Sequence, residues 1–130
     1  MKLLLDTQVF IWLINSDRRL GKETLGLIEN MSNQLYISYF SCFEMAIKAS
    51  IGKLNYDSTI LEDLPNMGIE LILPTINALR RYSIVNLDNK DPFDNMLISV
   101  SCTEKTTFVT SDQKILNISV QDLNLQDATK

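Results

Sequence analysis

The chain contains no histidine. That absence removes serine and cysteine nucleophile systems built on an imidazole, histidine-ligated zinc and a histidine general base. Any chemistry must run on carboxylates, lysines, hydroxyls or a bound metal. Cysteine is nearly absent too, with Cys42 and Cys102 in apolar stretches and no CxxC spacing, a pattern of free thiols rather than a disulfide or zinc site. Long hydrophobic runs are also missing. The longest, VFIWLI, is far short of a membrane span, and MKLLLD meets a carboxylate too early for a secretion signal. The expected location is therefore the cytoplasm. Positive charge is in deficit, 12 Lys and Arg against 16 Asp and Glu, for a net charge of -4 and a pI near 4.7. This argues against a protein that coats nucleic acid by bulk electrostatics, though not against one that cuts it.

What remains is an ordinary globular composition, 45% hydrophobic and 22% charged over 130 residues. A single domain of that length buries roughly two thirds of its unfolded surface. LLL at 3–5 suits a buried parallel strand, and TQVFIWLIN continues at helical spacing. Leu20 to Met31 reads as a second helix, LYIS as a strand, and Ser41 to Ile51 as a helix ended by Gly52. DSTILEDLPNMG reads as a helix broken near Pro65 and Gly68, ELIL as a strand, and TINALRRYSIV as a helix opened by Thr75. Asp91 caps a helix with Pro92 at its first position, reaching about Cys102, and TTFVT is a strand leading into SDQKIL. SVQDL reads as a short edge strand and DATK as a frayed tail. Strands alternating with helices predict an α/β domain over residues 1–130 with a mainly parallel sheet.

Four acids stand where strands give way to helices: Asp6, Glu44, Asp94 and Asp112. The carboxyl ends of strands in an open α/β sheet face one crevice, so these acids are expected to converge. Two carboxylates about 4 Å apart cost on the order of 4 kcal/mol at an effective dielectric near 20. Such a cluster takes up protons or binds a cation, and a hard divalent metal is the simpler answer. Each acid also has a purely structural role available. Asp6 and Asp91 are good helix N-caps, and Ser41 to Glu44 reads as a capping box with Glu44 in the first turn. Asp94 is the preferred ligand, with Asp91 as its cap or support. Thr110 and Ser111 could cap the helix after Asp112 or hold a water or phosphate oxygen, and Lys48 sits one turn after Glu44 at ion-pair spacing. Lys53, Lys90, Arg80 and Arg81 read as solvated surface before they read as a basic rim.

With these residues placed, the chain resembles the PIN-domain family, specifically VapC-type toxins of type II toxin-antitoxin modules. LLLDTQVFIWLI, SYFSCFEMAIKASIGKL, DPFDNMLISVS and FVTSD carry the resemblance. It implies a three-layer fold with about five short strands flanked by helices. It also implies a Mg²⁺- or Mn²⁺-dependent ribonuclease with one or two ions on Asp6, Glu44, Asp94 and Asp112. Thr110 takes the place of a frequent hydroxyl, and Thr7, Lys48, Asp91 and Ser111 are candidate supporting or substrate residues. An RNA substrate, a small antitoxin partner and a homodimer follow from the same resemblance. Many relatives carry histidine where this chain has Gln8, which touches the rim of the site rather than its acids.

Rival readings are weaker on the residues themselves. A phosphatase using Asp6 as nucleophile needs an acid two positions on, where Gln8 stands, and a receiver-like switch needs an acid after ELIL, where the chain reads PT. A non-catalytic PIN-fold interaction module is the remaining alternative.

Overall fold

A computed structural model describes residues 1–84 and 91–130. Among these residues five strands form one sheet: β1 (Lys2–Leu5), β2 (Gln34–Ser38), β3 (Ile69–Ile72), β4 (Thr107–Thr110) and β5 (Asn124–Asp127). Six α-helices among the described residues connect and cover them: α1 (Thr7–Ile14), α2 (Lys22–Glu29), α3 (Tyr39–Ser50), α4 (Ile76–Ile84), α5 (Pro92–Glu104) and α6 (Gln113–Leu116). Every strand pairing is parallel, in the order β3-β2-β1-β4-β5. The chain moves outward from β1 to β3, then crosses to build β4 and β5 on the other side. The strand order therefore reverses between β1 and β4, the position where α/β sheets open a crevice at their carboxyl ends.

The strand period of two sorts the core into two layers. Leu3 and Leu5 point to one face and pack with Phe10, Trp12, Ile28, Ile37, Met45 and Val109. Leu4 points to the other and packs with Ala78, Leu97, Ile98, Phe108 and Ile115. Helices thus cover both faces, which is why a run of three leucines can be wholly buried. Helix α5 is the most enclosed, with Asn95 to Cys102 all buried. The Ser99 hydroxyl donates to the Ala78 carbonyl and fastens α4 to α5.

Three expectations about boundaries need correction. Helix α3 starts at Tyr39, not Ser41, because Ser38 at the end of β2 takes the capping role and accepts from the Phe40 amide at 3.1 Å. Ser41 lies buried inside the first turn, its hydroxyl without a partner among the described residues, so it forms no capping box with Glu44. The edge strand is β5 at Asn124–Asp127, while SVQDL is a turn that includes Asp122 at φ 68°. The last residues are not frayed. Gly21 and Glu23 donate their amides to the carbonyls of Ala128 and Lys130 at 2.8 and 2.9 Å, and Ala128 is fully buried. The open amides at the start of α2 need acceptors, and the segment after β5 supplies them.

The segment DSTILEDLPNMG folds as two 3₁₀ turns, Ser58–Leu61 and Leu64–Met67, with Gly68 at φ 71° closing the second. Gly52 at φ 74° stops α3, a conformation glycine adopts without steric cost. No helix among the described residues is long and apolar enough to cross a membrane.

Candidate active site

Asp6 sits at the sheet's switch point. β1 ends at Leu5 in register with Val109, so the next residue meets β4, and the Asp6 amide donates to the Val109 carbonyl at 2.9 Å. Its carboxylate caps α1, accepting from the Thr7 amide at 2.7 Å through one oxygen and from the Thr110 hydroxyl at 2.7 Å through the other. Asp6 is only 7% exposed and Thr110 is fully buried. Capping and a place in the crevice are thus one arrangement rather than competing roles.

The other sequence-selected residues gather around this carboxylate to different degrees. Thr7, buried at the start of α1, donates its hydroxyl to Glu44 Oε1 at 2.7 Å and so joins α1 to α3. Glu44 lies in the second turn of α3, and its Oε2 pairs with Lys48 Nζ at 3.1 Å. Asp94 stands in the first turn of α5, where Asp91 caps the helix by accepting from the amides of Phe93 and Asp94 at 2.9 and 3.3 Å. The neighbouring rings Phe43 and Phe93, 5.9 Å apart, draw α3 and α5 together beside Glu44 and Asp94. Asp112 caps α6 through the Lys114 amide at 2.9 Å and reaches Asp6 indirectly: its own amide donates to Thr110 Oγ1 at 3.1 Å. Ser111, half-buried, lies between them. Lys90 falls outside the described residues. Arg81 is engaged elsewhere, donating to the Gln121 carbonyl at 2.7 Å beside Asp122.

Burial pushes the Asp6 carboxyl from 3.8 up to about 6. The Thr110 hydroxyl opposes that rise, the charge of Asp94 adds to it, the Thr7 amide opposes it and the charge of Glu44 adds again. Two acids, Glu44 of α3 and Asp94 of α5, are therefore close enough to add to the cost that burial places on an anion at Asp6. Among the described residues, however, no three acids are drawn tightly enough to hold a metal ion as they stand. The donor set still fits a hard cation: it offers only carboxylate and hydroxyl oxygens, and its central acid needs compensating positive charge. Ser38 was missed in the sequence. Its signal was the serine at the end of the strand itself, which competes with Ser41 for the cap and sets the turn on which Glu44 stands.

The PIN domain family profile matches residues 3–120, nearly the whole chain. The chain belongs to the PIN domain family. Solved structures resemble this PIN domain over its full length. One is VapBC2 from Rickettsia felis bound to a DNA fragment from its promoter, at TM-score 0.71 and 18% identity, covering 98% of both chains. DNA-bound VapBC from Salmonella typhimurium follows at 0.69 and 16%, again over 98% of both. VapBC-1 from nontypeable Haemophilus influenzae gives 0.65 and 21% over 100% of both. At these identities the likeness carries the PIN fold. No curated protein sequence matches the chain.

Proposed function

We propose that this PIN domain is a VapC-like toxin, a Mg²⁺- or Mn²⁺-dependent endoribonuclease that hydrolyses RNA phosphodiester bonds and is neutralised by a cognate antitoxin. The observation that carries the reading is Asp6: a buried carboxylate at the switch point of the sheet, its charge opposed by Asp94 and Glu44. Asp6, Glu44, Asp94 and Asp112 would hold one or two divalent ions. A bound ion would supply charge for the phosphate and a more acidic water. The chain's own groups set the geometry. Thr110 and Thr7 fix the two oxygens of Asp6, Thr7 and Lys48 fix those of Glu44, and Asp91 orders the turn that carries Asp94. Cations also reconcile an acidic protein with a polyanionic substrate, since the loaded cleft attracts a backbone that the bare carboxylates repel.

Antitoxin binding is supported by neighbours solved as VapBC complexes, and a homodimer and a cytoplasmic location complete the reading. The test is cleavage of a mixed RNA pool by purified protein with Mg²⁺, Mn²⁺ or EDTA, beside a folded Asp6→Asn, Asp94→Asn double variant. Metal-dependent cutting that the double variant loses is the expected result. Cutting that persists in EDTA sinks the metal mechanism. The second reading, a PIN-fold interaction module, is favoured by one observation: the acids do not form a ready cage among the described residues. Absence of cutting with any metal would select it.

A further inference from the structure

Each oxygen of the Glu44 carboxylate has a partner, and the two are of different kinds. One oxygen accepts from the neutral Thr7 hydroxyl at 2.7 Å, while the other faces the Lys48 ammonium at 3.1 Å. The Glu44 side chain is only 15% exposed, and that of Lys48 is 42% exposed. A half-buried anion beside Asp6 and Asp94 needs a positive charge close by. Lys48 is that charge. Unlike an ordinary surface pair at i,i+4 spacing, this one has its acid locked to a buried threonine on another helix.

We infer that Lys48 is the internal counter-ion of the acidic site, holding Glu44 in the metal-free protein and yielding that oxygen when a divalent cation binds. The inference rests on the metal-dependent reading given above. One Glu44 oxygen is held by an ammonium that a metal would have to displace. Lys48 thereby lowers the affinity for metal while keeping Glu44 in place to receive it.

The experiment is Mn²⁺ binding followed by the electron paramagnetic resonance of free Mn²⁺, on wild type, Lys48→Met, Lys48→Arg and Lys53→Met. Lys53 is exposed just beyond α3 and makes no ion pair among the described residues, so its variant measures the general effect of losing one positive charge. Lys48→Met is expected to bind Mn²⁺ about two- to fivefold more tightly than wild type, the range of a partly exposed ion pair. Lys53→Met should change affinity less, and Lys48→Arg should return it to the wild-type value. Metal-free melting, recorded in parallel, should fall for Lys48→Met and recover on saturation with Mn²⁺. Equal effects of Lys48→Met and Lys53→Met, or weaker binding by Lys48→Met, would overturn the counter-ion role while leaving the metal reading intact. No Mn²⁺ binding by any of the four proteins would overturn both.

Discussion

Asp6 concentrates most of the site's energetic conflict in one side chain. Its carboxyl titrates near 6 in the folded protein and near 3.8 when unfolded, so the fold favours the protonated form. Well below pH 3.8 both states carry the proton and the group contributes nothing through charge. Above pH 6 the native state must hold an anion that the unfolded chain holds freely, which lowers stability by on the order of 3 kcal/mol. In EDTA, Asp6→Asn should therefore gain stability relative to wild type as pH rises from 4 to 6, then plateau. Urea melts across pH 3.5 to 8 would measure this, and a difference that stays flat with pH would show that Asp6 ionises normally. Thr110 makes the complementary case. Its hydroxyl bond stabilises the Asp6 anion, so Thr110→Val should move the Asp6 titration further upward, observable as a higher midpoint for its carboxyl carbon resonance. A midpoint that falls would contradict the assigned bond.

At the scale of elements, two glycines in one region should respond oppositely to the same substitution. Gly26 lies exposed in α2 with nothing within 4 Å of a would-be Cβ, so Gly26→Ala should stabilise by about 0.5–1 kcal/mol. A Cβ at Gly21 would stand 2.1 Å from the Lys130 carbonyl carbon and 2.5 Å from that of Thr129. Gly21→Ala should therefore cost roughly 1–3 kcal/mol or push the docked segment off, exposing the Gly21 and Glu23 amides to hydrogen exchange. Unchanged protection of those amides would refute the close packing. This docking also shows where sequence pattern stops being informative. The alternation of LLL, LYIS, ELIL and TFVT with helical spacing made the parallel α/β order readable, because buried strands and amphipathic helices announce themselves by period. NLQD carries no such period, and its place in the sheet is set by pairing with Thr107 to Thr110 of β4 rather than by its own sequence. DATK looks like a tail until the amides at the start of α2 supply its partners. The cap of α3 was ambiguous for a local reason: Ser38 and Ser41 both qualify, and only the length of β2 chooses between them. The four acids were visible in the sequence, but the links through Thr7 and Thr110 were not, since side chains 37 and 104 positions apart meet only after the sheet forms.

The whole molecule gives these local arrangements a common direction. Because strand order reverses between β1 and β4, the ends of those strands lie side by side, and the first turns of α1 and α6 point into the same crevice. Helices α3 and α5 complete its wall, so acids from four separated stretches of sequence share one end of the sheet. A protein with net charge -4 that concentrates carboxylates in this way should be more stable with a divalent cation than without one. At a cation concentration about 100 times the dissociation constant, the gain is roughly 2.7 kcal/mol, or about 10 °C in melting temperature for a domain of this size. Asp94→Asn should lose most of that shift, because it removes a charge felt at Asp6 from the far helix α5. Glu23→Gln, on the exposed start of α2, should keep it. Calorimetric melts of the three proteins with Mn²⁺ and with EDTA decide the matter: equal shifts in all three would place the bound cation on the general acidic surface rather than at the switch point of the sheet.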